Sequence, residues 1–188
     1  MALTYTPDPA LGTPCPDFSL PGVDGQTHSR SALEGAKAAL VMFICNHCPY
    51  VVAVEDRLLK LGRDYLGKPV KIVAISSNDA SQKPADSFPA MKARATEKNY
   101  PFPYLYDESQ KTAQAFGAVC TPDFFLYDSN LKLAYRGRLD DSWKDPSIVK
   151  SEELRAAIDA LIAGEKPASE QKPSMGCSIK WKPEMLPT

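Results

Sequence analysis

The chain is poor in histidine, with only His28 and His47 among 188 residues, and it contains one Cys-x-x-Cys pair and no second. A four-ligand zinc centre built from paired cysteines and histidines is therefore short of donors. Long hydrophobic runs are also missing. The longest, residues 38–45, has strand length and falls far short of the roughly 20 residues that cross a bilayer. No extended Lys/Arg run occurs, and 22 basic against 23 acidic side chains leave a formal net charge of -1, which argues against a nucleic-acid partner. The first residues lack the basic-then-apolar pattern of a secretory signal, so the cytoplasm is the expected location. Five cysteines (Cys15, Cys45, Cys48, Cys120 and Cys177) make an odd set, unlike a secreted disulfide framework. In a reducing compartment such spaced thiols point to catalysis or metal binding.

What is present suits one globular domain: 44% hydrophobic and 24% charged residues on a chain long enough to bury its own core. The 17 prolines gather in the first 22 residues and after Ala163. Both ends are expected to be extended: residues 1–11 as an N-terminal extension, 12–163 as the folded domain and 164–188 as an irregular tail.

The pattern predicts a hairpin over residues 17–29, turning at Asp24-Gly25. Residues 38–44 form an uninterrupted apolar stretch, as in a central strand buried on both faces. Val51, Val54, Leu58, Leu61 and Tyr65 then recur at helical spacing and predict one amphipathic helix. Residues 70–76 read as a second central strand, 77–87 as a polar loop, and 88–98 as a weaker helix. An extended segment at 103–106 and a short helix at 109–116, stopped by Gly117, follow. Residues 124–127 and 133–136 form two strands about an Asp-Ser-Asn turn. Ser151 is the expected N-cap of a last helix that buries Leu154, Ile158, Leu161 and Ile162. Arg136, Arg138, Asp140 and Asp141 are expected to be a solvated cluster. Alternating strands and helices define an α/β fold with a central mixed sheet flanked by helices.

The chemistry concentrates in Cys45-Asn46-His47-Cys48-Pro49, where a buried strand passes into a helix. Three residues is about one helical turn, so the two sulfurs can bridge. A helix N-terminus stabilises a thiolate, expected here on Cys45, and a protonated His47 would stabilise it further. Asn46 and His47 are the candidate tuning or substrate-contact residues. A haem attachment is excluded because Pro49 follows the second cysteine where histidine is required. Thr121-Pro122 precedes a strand, where a proline marks an edge or a special turn.

Cys45-x-x-Cys48 at a strand–helix junction, followed by Thr121-Pro122 before a late strand, resembles the thioredoxin superfamily. The stretch from Asp17 to Gly25 resembles its redoxin branch, which holds the alkyl hydroperoxide reductase/thiol-specific antioxidant proteins and the TlpA-like oxidoreductases. The resemblance implies a thioredoxin-like fold, Cys45 as attacking thiol, Cys48 as resolving thiol and Pro122 as a cis-proline facing them. It also implies that Thr121 offers backbone groups to a substrate strand. This chain departs from thioredoxin at Ala39, where that family has a buried acid, and at Ile44, where it has tryptophan. It departs from peroxiredoxins by Cys45, which stands where they carry Thr or Ser three residues before the peroxidatic cysteine, matched here by Cys48. Cys120 and Cys177 are candidate auxiliary thiols, and Ile179 and Trp181 are candidates to dock the tail on an apolar groove.

The expected activity is thiol–disulfide exchange, without cofactor or metal. The substrate would be a disulfide-bearing protein or small molecule, with a thiol reductant recycling the pair and no nucleic-acid or membrane partner. A thiol peroxidase, or a non-enzymatic metal or redox sensor using Cys45, His47 and Cys48, are the alternatives.

Overall fold

The computed structural model of the chain describes residues 3–186. The chain opens with β1 (Leu3–Tyr5), the hairpin β2 (Ser19–Pro21) and β3 (Thr27–Ser29), then β4 (Ala38–Phe43), α1 (Pro49–Val52) and α2 (Glu55–Asp64). Next come β5 (Val70–Ser76), α3 (Phe88–Lys98), β6 (Tyr104–Tyr106), α4 (Lys111–Phe116) and β7 (Cys120–Thr121). The last elements are β8 (Asp123–Tyr127), β9 (Leu133–Tyr135), α5 (Glu153–Ala163) and β10 (Met175–Ser178).

The expected central mixed sheet is present, in the order β6-β5-β4-β8-β9. β4 runs parallel to β5 and antiparallel to β8, so it is paired on both edges. Every residue of β4 is buried, and its side chains alternate between two apolar layers. Ala38, Leu40 and Met42 join a core with Leu58, Leu61 and Met91 and with Leu154 and Ile158 of α5. Ala39, Val41 and Phe43 join a second core with Phe18, Leu33, Phe116 and Phe125. Burial on both faces explains why this strand reads as a continuous apolar run.

The predicted single helix after Cys48 is two. α1 ends at Val52, and α2 begins at Glu55 after a bend at Ala53 and Val54. The bend leaves the buried stripe in phase: Val51, Val54, Leu58, Leu61 and Tyr65 all lie in the first core. α5 starts one residue later than expected, with Glu152 rather than Ser151 at its N-cap. The Ser151 carbonyl instead accepts the Asp141 N–H at 3.1 Å, so the residue is committed to the preceding loop.

Two expectations about polar segments are corrected. Arg136 and Asp140 are buried, not solvated. The Arg136 guanidinium makes paired bonds to Asp123 at 2.9 and 3.2 Å and stacks over the Phe125 ring, and Asp140 pairs with Arg57. The C-terminal segment, expected to be irregular, contributes β10 to a second sheet, β1-β10-β7. Beyond β10, Ile179 is buried in the second core with Trp181 packed against it.

Candidate functional site

β4 ends inside the sheet, and the Ile44 N–H still reaches the Ile75 carbonyl at 3.0 Å. The chain then leaves β5 and turns into α1 at Pro49, which needs no N–H partner in the first helical turn. Cys48 is the residue at the helix N-cap, and its carbonyl accepts the Val51 and Val52 N–H groups at 3.0 and 2.9 Å. The turn between strand and helix therefore holds Cys45 and Cys48 against the same neighbour, Thr121.

The Cys45 sulfur lies 3.4 Å from Thr121 Oγ1, and the Cys48 sulfur donates to the Thr121 carbonyl at 3.1 Å in its thiol form. The Thr121-Pro122 peptide is cis. The two sulfurs also interact, each shifting the other's titration. With relative exposures of 2% and 0%, both are closed off from solvent.

Electrostatics separates the pair. Cys48 is held well below the ordinary thiol value, first because the Cys45 thiol donates to it, then because Cys177 and Thr121 add donors. These donors outweigh burial, which opposes ionisation. Cys45 is pushed the other way by keeping the shared proton for Cys48, by burial and by the nearby Asp86 carboxylate. The pair thus shares one proton: the resemblance places the thiolate on Cys45, and the donors around Cys48 draw charge toward Cys48.

Asp86 is the site residue that sequence reasoning missed. It lies in a single 3-10 turn (Pro84–Asp86) inside the segment read as a polar loop. Its side chain is fully buried and accepts the Asn46 and His47 N–H groups at 2.8 and 3.1 Å, Asn78 Nδ2 at 2.8 Å and His47 Nδ1 at 2.5 Å. Asn46 is fixed further by bonds to the Ala85 carbonyl and from the Tyr104 hydroxyl. Nothing in residue spacing signals this acid, which lies 41 positions beyond Cys45. It sits beside the pair, whereas Ala39, at the thioredoxin-like acid position, belongs to the opposite layer.

Cys45, His47 and Asp86 bring three potential metal-ligating atoms within 4.8 Å of one another. His47 Nδ1 stands 3.7 Å from the Cys45 sulfur, while its buried Nε2 has no hydrogen-bond partner. Asp86, however, already accepts four hydrogen bonds. A cation would have to displace them, so the donor set fits a carboxylate that orients His47 and the turn better than one that binds a metal.

The remaining cysteines divide. Cys120 is fully buried and its thiol is pushed up by burial and by Asp123. Cys15 is raised to about 11 by burial. Both environments disfavour a reactive thiolate. Cys177 is brought to the pair, in register with Thr121 across β10 and β7 and electrostatically linked to Cys48.

Comparison with known proteins agrees with this architecture. An uncharacterized conserved protein from Geobacillus kaustophilus is 49% identical with a TM-score of 0.93, over 97% of this chain and 98% of that one. A hypothetical protein from Sinorhizobium meliloti is 42% identical with a TM-score of 0.90, over 96% and 99%. The thioredoxin domain of a Bacteroides vulgatus thiol-disulfide oxidoreductase, 18% identical with a TM-score of 0.58 over 69% and 89%, shares the fold. No curated protein matches the chain. The AhpC/TSA family profile matches residues 11–136, which is most of the domain and spans Cys45, Cys48, Thr121 and Pro122, and the chain belongs to that family of thioredoxin-like redoxins.

Proposed function

We propose that the protein is a thiol–disulfide oxidoreductase whose working pair is Cys48 and Cys45. The observation that carries this reading is the meeting of both sulfurs at Thr121, beside the cis Thr121-Pro122 peptide. The Cys48 thiolate attacks one sulfur of a substrate disulfide, and the other substrate sulfur leaves as a thiolate that takes up a proton. Cys45 then gives up its proton and attacks the Cys48 sulfur, closing a Cys45–Cys48 bridge and releasing the second substrate thiol. Two electrons pass from the pair to the substrate, and a thiol reductant returns them. We assign the attack to Cys48 rather than to Cys45, the attacker the resemblance implies, on the donors that favour charge at Cys48.

A disulfide-bearing protein or small molecule is the substrate class we infer, with a cytosolic thiol as recycling partner. A cavity of about 370 Å³ beside Pro122, lined by Tyr50, Phe124, Trp143 and Met175, is of a size to receive an apolar group of the substrate. Glutathione disulfide tests the chemistry. The reduced wild-type protein should release two glutathiones per chain, and Cys48→Ser should release none. Equal release by Cys48→Ser would overturn the reading.

One observation favours a second reading, thiol peroxidation: Cys48 favours its thiolate yet has no exposed surface. A hydroperoxide needs less room than a disulfide. Its O–O bond would break on attack, leaving a Cys48 sulfenic acid and an alcohol, and Cys45 would condense with the sulfenic acid to expel water. Stopped-flow oxidation no faster than that of free cysteine dismisses this reaction.

A further inference from the structure

The edge of β7 at Thr121, which the resemblance reserves for a substrate strand, is taken by the chain's own β10, and Thr121 there addresses both sulfurs. The antiparallel register sets Cys177 directly opposite Thr121 and Ser178 opposite Cys120. Opposed residues share a face of a ladder and neighbours alternate. Cys177 therefore faces the pair with Thr121, while Cys120 belongs to the other face. β10 packs against α1, the helix that Cys48 caps, Cys177 and Cys48 shift one another's titration, and Cys177 is only 2% exposed.

The strand is held on both sides. Before it, the Ser174 hydroxyl donates to the Pro122 carbonyl at 2.8 Å, and the Thr6 N–H donates to the Ser174 carbonyl at 3.0 Å. After it, the Lys180 N–H donates to Asn78 Oδ1, the Lys180 carbonyl accepts from Gln110 Nε2, and the Lys182 N–H donates to Gln110 Oε1, each at 2.8 Å. Gly176 makes the approach possible, since a Cβ there would overlap the Thr121 carbonyl. An element with no periodic apolar pattern is thus pinned with its cysteine against Cys48.

We propose that Cys177 is a second resolving thiol, and that Cys48 passes its disulfide between Cys45 and Cys177. This rests on the reading of Cys48 as the attacking sulfur. Starting from the Cys45–Cys48 bridge, Cys177 loses its proton and attacks the Cys48 sulfur. The Cys48–Cys177 bond forms, the Cys45–Cys48 bond breaks, and Cys45 leaves as a thiolate that takes the proton. No electrons are gained or lost in this exchange. From a mixed disulfide on Cys48, the same attack expels the substrate thiol. Confinement of the attacking sulfur beside the pair, opposite Thr121, replaces a bimolecular encounter.

The test follows glutathione disulfide with the reduced full chain carrying Cys45→Ser. Cys177 should resolve the Cys48–glutathione mixed disulfide, so two glutathiones are released per chain and peptide mapping finds Cys48 bridged to Cys177. The double variant Cys45→Ser/Cys177→Ser should stop after one glutathione and keep one glutathionyl group, while Cys45→Ser/Cys120→Ser should still release two. Release of only one glutathione by Cys45→Ser, with the adduct persisting on Cys48, overturns the role of Cys177 and leaves Cys48 as the attacking sulfur. Release of none overturns both. Wild-type protein supplies a measurement free of folding artefacts: oxidised by one equivalent and quenched in acid, it should yield both Cys45–Cys48 and Cys48–Cys177 peptides. Cys45–Cys48 alone counts against the exchange.

Discussion

Cys48 owes its character to the donors around it. Its pKa lies below the ordinary thiol value, so the unfolded chain binds more protons across the neutral range. The stability this group contributes rises with pH through that range, is complete above the ordinary thiol value, and is lost as acid approaches the folded value. Ultraviolet thiolate absorbance of the reduced protein should therefore show about one thiolate already present at pH ~7, where an ordinary cysteine is almost wholly protonated. Cys48→Ser should remove that absorbance, and no loss would contradict the assignment. Asp86 opposes ionisation of Cys45. Asp86→Asn should lower the pH at which the second thiolate appears in the same titration. It should also cost about 3 kcal/mol in urea unfolding, since a buried acceptor of four hydrogen bonds loses its charge and half its acceptor capacity. The Cys45/Cys48 pair is readable from its spacing at the end of an apolar run. Asp86 is not, because its role comes from a three-dimensional approach with no local signature.

The elements were legible where periodicity is strong and obscure where contacts alone define them. β4 and β5 announce themselves by uninterrupted apolar residues, since paired edges and two covered faces demand them. The bend between α1 and α2 escapes detection because the buried stripe continues in phase across Ala53 and Val54. β10 escapes for another reason: Met-Gly-Cys-Ser has neither β-branched residues nor alternation, and its place is fixed by Thr6, Asn78, Gln110 and the Thr121 edge. Gly176→Ala tests that placement. The added methyl must push β10 from the Thr121 carbonyl, so urea unfolding should show a loss of about 1–3 kcal/mol. Amide hydrogen exchange at Ile179, whose N–H is bonded to the Val119 carbonyl, should quicken. Unchanged protection at Ile179 would show that β10 is not held as described.

Across the whole fold, a five-stranded sheet between two apolar layers carries the site at the strand–helix junction of its central strand, and β10, with β1 on its outer edge, lies along the Thr121 strand beside it. Buried ion pairs fix the surrounding segments. Arg136 anchors Asp123, the residue after Pro122, and Arg57 ties α2 to the Ser142 and Trp143 carbonyls. The sequence hid these pairs because charged residues after a hairpin look like solvated ones until their partners are known. Arg136→Ala leaves Asp123 buried and uncompensated, and should lower unfolding stability by about 3–5 kcal/mol. A loss within ordinary surface-substitution range would mean that water reaches Asp123. The proposed chemistry requires Cys48 to cycle between thiolate and disulfide. Equilibration of the full chain across dithiothreitol redox buffers, followed by acid quench, alkylation and peptide mapping, measures this directly. The account predicts one two-electron transition, with a slope of about 30 mV per tenfold change in the buffer ratio, in which Cys48 passes from alkylated to bridged with Cys45 or Cys177. Cys48 alkylated at every potential would contradict it.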